Sequence, residues 1–416
     1  MSDFNQPGRI LVTCAKAMPP WLCGELRTLE FPIVRELEAG VETRGSLADT
    51  MRLNLQLRTA HRVLFMVHEG EALDADQLYQ ALSSLPWEQY LPSTGHLCVN
   101  TAVENPTIRD TRFAALKCKD AIVDRLRAQT GQRPDTGGDQ GGAVVFLYWR
   151  GRSFAIYLDT SGEPLSKRGY RKIPWKAPMQ ETLAAGVMLA TGWGGDDNLV
   201  NPMCGSGTLA IEAALIALNR APGLLRSGFG IQHLAGFDPA AWQAARTAAR
   251  ATGRKRIGGK IIASDIDDRA VASARLNAQT AGVDQLIQFE VGDFTKTTVP
   301  AGTGAVIFNP EYGERLGEED KLTSIYFGIG DFLKQKCQGY RGYVFTGNLT
   351  LAKRIGLRSS RRVPFYNSRI ECRLLEFEMY SGTRNKAACD RNQTGVVEPA
   401  GGRGAVGAGD GAPSAL

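Results

Sequence analysis

A change of pattern near Gly162 most constrains what this chain can fold into. Beyond it, short apolar runs at 198–200, 260–264, 287–291, 305–308 and 340–346 alternate with stretches of helical spacing. One of these opens after Gly207 and another covers 268–280, where Val271, Ala274, Arg275 and Ala278 recur on one face. Strands separated by helices return in the same direction and pair in parallel, with helices covering both faces of the sheet. The expected fold is α/β, a doubly wound parallel sheet, closed at an antiparallel edge by the alternating run 371–380.

The first half reads differently. Strand-like 9–13, helix-like 21–29 and strand-like 41–44 form a small α+β unit. A strand at 62–67, a helix at 75–83 and a strand at 97–100 continue in the same style. A helix over 112–129 follows, expected to bury Phe113, Leu116, Ala121, Ile122 and Leu126 on one face. A hairpin, 143–149 with 153–158, turns at Arg150-Gly151-Arg152. No glycine-rich cofactor turn occurs in this half, which reads as a binding module. From about residue 381 the chain becomes Gly/Ala/Pro-rich and lacks the apolar surface to fold. The expected division is 1–60, 61–160, 161–382 and a tail, 383–416.

Composition narrows the partners. No apolar run approaches the ~18 residues of a membrane span. Met1-Ser2-Asp3-Phe4-Asn5 lacks the basic and apolar start of a signal peptide, so a cytoplasmic protein with reduced thiols is expected. The cysteines at 14, 23, 98, 118, 204, 337, 372 and 389 include no Cys-x-x-Cys pair and the histidines are scattered, so neither metal nor disulfide framework is expected. The net charge of +6 permits a polyanionic partner. Cations mix with aromatics at Lys167, Arg168, Tyr170, Arg171 and Lys172 with Trp175-Lys176. Further cations cluster at Arg254-Lys255-Arg256 and at Arg354, Arg358, Arg361 and Arg362. Any one cluster reads as a solvated face; three in one chain point to RNA.

Two strand ends carry the chemistry. Residues 198–200 run into Asn201-Pro202-Met203-Cys204-Gly205-Ser206-Gly207-Thr208, where Gly205 and Gly207 permit a tight turn and close approach to a ligand. The helix beyond Thr208 adds oriented N–H groups. Asp265, at the end of the next strand, suits ribose hydroxyls. It lies much further than the usual ~20 residues from the glycines, because 219–259 intervene, and that spacing counts against a plain dinucleotide site. Asp267 or Asp268 reads as the N-cap of the following helix. Gly292-Asp293-Phe294 follows the third strand; taken alone it is a turn, but its place suits Asp293 to an adenine amino group and Phe294 to the ring. The second strand end, 305–308, runs into Asn309-Pro310-Glu311-Tyr312. The Asn309 side chain and the Pro310 carbonyl would accept the two protons of a planar amine while Tyr312 stacks on its ring. Methyl transfer needs alignment and desolvation more than a strong base. The two ends together read as an S-adenosyl-L-methionine-dependent N-methyltransferase.

In this order the pieces resemble the THUMP-domain RNA methyltransferases, in particular the RlmL-type enzymes that methylate N2 of guanine in large-subunit ribosomal RNA. The resemblance covers residues from about 5 to 380. Its marks are Asp159-Thr160-Ser161-Gly162, Lys167-Arg168-Gly169-Tyr170-Arg171, the run 177–185, the glycine turn, Ser264-Asp265-Ile266-Asp267 and Tyr312-Gly313-Glu314-Arg315-Leu316-Gly317. In the first half they are 119–126 with Arg133-Pro134. The resemblance implies a Rossmann-like class I methyltransferase domain preceded by an α+β ferredoxin-like segment and a THUMP RNA-binding domain. It makes the long insertion ordinary and places Glu181 beside the cofactor pocket. The family tetrad is usually Asn-Pro-Pro-Tyr, whereas Glu311 stands here, and Asn201 stands where the family more often has Asp. A second methyltransferase domain, present in some relatives, is not expected. The expected substrate is ribosomal RNA, with tRNA as the alternative. A DNA or protein-amide methyltransferase and a non-catalytic RNA-binding factor are the readings of other classes, and the oligomeric state is not indicated.

Overall fold

The computed structural model describes residues 4–174, 178–312 and 319–379. Its first half contains β1 (Gly8–Thr13), α1 (Pro19–Thr28), β2 (Ile33–Leu37), β3 (Gly40–Gly45), α2 (Asp49–Gln56), β4 (Arg62–Glu71) and α3 (Ala75–Ser83). It continues with β5 (His96–Glu104), α4 (Thr111–Thr130), β6 (Asp135–Thr136), β7 (Ala143–Arg150) and β8 (Ser153–Asp159). All eight strands form one sheet in the order β2-β3-β1-β4-β8-β7-β5-β6. The junction is β4, which pairs antiparallel with β1 on one side and with β8 on the other. Strands β5 and β7 run parallel, and the return needs α4 as a crossover.

Helix α4 is capped by Asp110, which accepts from the Arg112 N–H, and ends at Gly131 in the left-handed region (φ 72°). Its buried stripe is Ala114, Cys118, Ala121, Ile122 and Leu126, small residues first, so the helix approaches the sheet closely. Phe113 and Leu116, expected on that face, lie off the stripe and are 46% and 52% exposed.

The second half contains α5 (Glu181–Thr191), β9 (Asn198–Pro202), α6 (Thr208–Ala217), α7 (Pro239–Ala251), β10 (Ile261–Asp265), α8 (Asp268–Ala281) and β11 (Ile287–Val291). It continues with β12 (Gly304–Phe308), α9 (Glu319–Lys336), β13 (Tyr340–Thr346), α10 (Leu349–Ala352), β14 (Arg361–Asn367) and β15 (Ile370–Glu378). The strand order is β11-β10-β9-β12-β13-β15-β14. The first five pair in parallel, and Leu199, Val200, Ile262, Val306 and Phe308 are buried, as strands covered on both faces require. The order reverses between β9 and β12, which opens a crevice at their carboxyl ends. The run expected at the antiparallel edge, β15, is antiparallel to β13 but lies inside; β14 forms the edge. Pro364 can sit in β14 because an edge strand has one side without ladder bonds. Among the described residues no helix is long and apolar enough to cross a membrane.

The two halves meet at Asp159-Thr160-Ser161-Gly162. The buried Asp159 carboxylate pairs with Arg62 and accepts the N–H groups of Ser161 and Gly162 at 3.0 and 3.1 Å. The Asn54 amide spans Thr160 and Ser161, at 2.8 and 2.6 Å. From the second half, Arg226 donates to four carbonyls of the linker: Pro164 and Lys167 at 2.8 Å, Glu163 at 2.9 Å and Ser161 at 3.3 Å. Burial, with Arg168 nearby, pushes its guanidinium down to about 10. Arg168 donates to the carbonyls of Arg58 and Leu165 and lies 3.6 Å from the Glu212 carboxylate, which also accepts from the Tyr170 hydroxyl at 3.1 Å. A buried charge persists only when it is paired and hydrogen-bonded, and here Arg168 Nε, Arg226 Nε and Glu212 Oε2 are the junction atoms left without a hydrogen-bond partner among the described residues.

Replacing Arg226 by Met removes these donors and leaves buried carbonyls unpaired. Denaturant unfolding should show a loss of about 2–4 kcal/mol. His61 supplies a pH test. Its Nε2 lies 3.1 Å from the Thr182 hydroxyl across the joint, and burial, then Arg168 and Arg62, lower it from 6.5 to about 4. The unfolded chain therefore takes up this proton first as pH falls. Stability should be intact above pH 6.5 and decline towards pH 4, and urea midpoints should show a smaller decline in His61→Gln.

Candidate active site

The carboxyl end of β9 bends sharply. Met203 (φ 58°), Gly205 (φ 55°) and Gly207 (φ 82°) all adopt left-handed backbone, at a steric cost for Met203. The turn is closed by the Cys204 N–H on the Ser264 carbonyl at 2.8 Å and the Gly207 N–H on the Cys204 carbonyl at 2.9 Å. The two glycines serve different ends. A Cβ at Gly207 would stand 2.9 Å from that of Ala274, so this glycine lets α6 approach α8. A Cβ at Gly205 would meet nothing within 4 Å, so this one faces open space. Burial pushes the Cys204 thiol up and keeps it neutral.

Asp265, at the end of β10, accepts the Gly205 N–H on one oxygen at 2.9 Å and the Asp267 N–H on the other at 3.1 Å. It thus fixes the glycine turn and retains lone pairs for a ligand. Asp267 caps α8 through the Arg269 N–H at 2.9 Å. Between them Ile266 is 72% exposed, beside a depression it lines with Asp267, Asp268 and Arg269. The sequence reading did not single it out; an apolar residue directly after a strand-ending acid was the available signal.

After β11 the Gly292 N–H returns to the Asp265 carbonyl at 2.9 Å. Asp293 accepts from the Thr295 hydroxyl at 2.5 Å and N–H at 2.9 Å, which hold its carboxyl below the ordinary range. Phe294, expected against adenine, instead packs edge-on against Phe308, with ring centroids 6.0 Å apart, and against Phe332. Its ring is partly buried against the core between β12 and α9.

Beside β9, β12 ends in Asn309-Pro310-Glu311-Tyr312. The buried Asn201 joins the two ends, donating from Nδ2 to the Ile307 carbonyl at 2.9 Å, while its Oδ1 has no partner. Tyr312 donates from its hydroxyl to Asn309 Oδ1 at 2.9 Å, and its ring lies inward, 6.3 Å from that of Phe345. The expected base-stacking ring is thus partly buried, and its hydroxyl orients the Asn309 amide. Asn348 Nδ2 donates to the Tyr312 carbonyl at 3.0 Å and Tyr326 to that of Glu311 at 3.3 Å. Among the described residues no donor reaches the Pro310 carbonyl. Residues 313–317 of the sequence marks lie outside the described residues.

Glu181 opens α5, buried, 3.5 Å from Arg171, which also donates to the Met179 carbonyl at 2.5 Å and the Thr208 hydroxyl at 3.1 Å. Burial raises the Glu181 carboxyl and Arg171 opposes the rise. Two of the cations expected to contact RNA are therefore internal. Arg168 is 1% exposed and donates from both terminal nitrogens at the joint, and Arg171 pins the start of α5 to that of α6. Lys167 and Lys172 do face solvent, Lys167 paired with Glu163 at 2.7 Å. Trp175 and Lys176 lie outside the described residues. In the last cluster Arg361 pairs with Glu376 at 2.7 Å and Arg362 donates to Ser359 at 2.9 Å. No group of His, Cys, Asp or Glu among the described residues is placed to hold a metal ion.

These residues fit S-adenosyl-L-methionine. The open side of Gly205 admits it, Asp265 would accept from ribose hydroxyls, and the unpartnered Asn201 Oδ1 and the Glu181 carboxylate would accept from its ammonium group. Three domain families match the chain: an RlmL ferredoxin-like domain over 9–64, a THUMP domain over 72–159, and the RMKL-like methyltransferase domain over 168–376. The Ribosomal RNA large subunit methyltransferase K/L of Syntrophotalea carbinolica is 40% identical over 390 residues, 90% of this chain and 54% of that protein. The chain thus spans about half the length of that relative. The slr0064 protein of Synechocystis sp. is 35% identical, over 88% of this chain and 96% of its own length. The crystal structure of SMU.472, complexed with SAH, superposes with a TM-score of 0.82 at 26% identity, covering 91% of this chain and 100% of that one.

Asp265→Ala should weaken S-adenosyl-L-methionine binding about 10–100-fold by calorimetry, the worth of hydrogen bonds to a charged group. With the glycine turn, the Asn-Pro corner and the two-part architecture in agreement, the chain belongs to the RMKL-like methyltransferase family with RlmL-type ferredoxin-like and THUMP domains.

Proposed function

We propose that this enzyme methylates N2 of a guanine in RNA, with large-subunit ribosomal RNA as its substrate. The observation that carries the reading is the amine-holding corner at Asn309-Pro310, adjacent to the cofactor turn through the β9–β12 pair and the Asn201–Ile307 bond. The THUMP match and the name of the Syntrophotalea relative support RNA, and ribosomal RNA in particular.

A guanine N2 amine carries two protons. Asn309 Oδ1, which accepts from Tyr312 with one lone pair, has a second for one of them, and the Pro310 carbonyl takes the other. Held so, the nitrogen is oriented by position rather than by a strong base. When bound, S-adenosyl-L-methionine supplies an electrophilic methyl group on its sulfonium. Tyr312 keeps the Asn309 amide from flipping its NH2 towards the amine. The exposed Glu311 carboxylate is available to take the proton that the methylated nitrogen sheds.

The test is transfer of a labelled methyl group to total RNA from cells lacking the protein, followed by nucleoside mass spectrometry. N2-methylguanosine in the large ribosomal RNA is expected. Its appearance in tRNA alone would move the substrate, and no incorporation would sink the proposal. Asn309→Ala should lower kcat by about 100-fold, the cost of lost positioning, with cofactor affinity unchanged.

A further inference from the structure

We infer that residues 239–260 form a second RNA-contact surface, at the end of the methyltransferase sheet opposite the active site; the inference rests on the RNA reading above. Between Asp238 and Asp265 the chain carries no Asp or Glu, while Arg246, Arg250, Arg254, Lys255, Arg256 and Lys260 are all basic. Helix α7 is anchored by Trp242, which packs edge-on against Phe229 at 5.2 Å. Arg246 lies over the Trp242 ring, 5.8 Å from its centroid, and Arg250 follows one turn later. Beyond the helix end, residues 254–256 and Lys260 are exposed.

Among the described residues none of these cations forms an ion pair, although exposed cations elsewhere do, as in Arg112–Asp110 and Lys167–Glu163. The nearby carboxylates are those of Asp196 and Asp197, whose backbone lies against Gly258 and Gly259; Asp197 accepts from the Thr303 hydroxyl at 2.7 Å. Arg250 in the last helical turn suits the helix dipole, but residues 254–256 lie past it, so the dipole does not account for them. Unneutralised cations beside alanine side chains, which let a bulky backbone approach, match a row of phosphates.

The place of the patch selects the partner. The Arg254 N–H meets the Leu218 carbonyl at 2.6 Å and the Gly258 N–H that of Gly195 at 2.8 Å, which sets the patch at the amino ends of β9 and β10. The active site lies at their carboxyl ends, roughly 17 Å away for five residues at ~3.3 Å each. A ligand that reaches both ends must be a long, folded polyanion.

The test measures binding of the full chain to deproteinised large-subunit ribosomal RNA over a series of KCl concentrations. The combined variant Arg250→Gln, Arg254→Gln, Lys255→Gln and Arg256→Gln should reduce the slope of log K against log salt by about 3, at ~0.7–0.9 per lost phosphate contact, and weaken binding at least ~10-fold near 0.15 M salt. Cofactor affinity and melting temperature should not change. Arg250→Lys, Arg254→Lys and Arg256→Lys together should keep the slope. If the helix variant fails to fold, Lys255→Gln with Arg256→Gln, beyond the helix, should still lose about 1.5 of the slope. A folded variant with the parent slope overturns the surface while leaving the methylation reading intact. Failure of the parent to bind or methylate any RNA overturns both.

Discussion

The molecule depends on a buried junction at which arginines hold main-chain carbonyls. Arg226 grips the linker 161–167, Arg168 grips the chain at Arg58 and Leu165, and Asp159 is neutralised by Arg62. Arginine suits this work because its planar fork presents several donors at once. Each of these groups would be strongly destabilising if left unpaired in the interior. The same junction supports the catalytic half, because Glu212 of α6 pairs with Arg168, while Arg171, a few residues along, ties α5 to α6. The basic segment 167–172 thus holds the two halves together and shapes one wall of the cofactor site.

The active site rests on two neighbouring strand ends locked by short polar links. Asp265 holds the Gly205 amide, and Asn201 holds the Ile307 carbonyl two residues before Asn309. An Asp at position 201 could not make the second link, since an ionised carboxylate has no proton to donate. The departure from the family pattern therefore gives this chain a direct tie between the glycine turn after β9 and the Asn309-Pro310 corner after β12. Tyr312 extends it, because its inward hydroxyl fixes which end of the Asn309 amide is presented.

How much could be read beforehand depended on where the information was stored. Strands β9 to β13 are covered on both faces and show as apolar runs, and the glycine turn with Asp265 follows from backbone sterics and strand ends. Edge strands were harder: β2 carries Arg35 and Glu36 outward, and β14 carries Arg361, Arg362 and Pro364, so neither alternates cleanly. Helix α7 buries only Trp242 and Ala249, so its inner face is marked by few large apolar side chains. The buried roles of Arg168 and Arg171 depend on groups distant in sequence, the Arg58 carbonyl and the Thr208 hydroxyl, so a cluster of cations looked solvent-facing. Phe294 and Tyr312 each rest partly on aromatic partners, Phe308, Phe332 and Phe345, that local sequence does not show.

Arg226 lies within the insertion between α6 and β10, whereas the carbonyls it holds belong to the linker leaving the THUMP-containing half. The insertion and that half therefore form one heritable unit. A recombination that exchanged the chain up to and including the linker 161–167 with that of a relative would retain the arginine but replace the segment that presents its carbonyl targets. Swaps should succeed where the linker and the insertion travel together, so the effective module boundary for exchange runs through space across two separate stretches of chain.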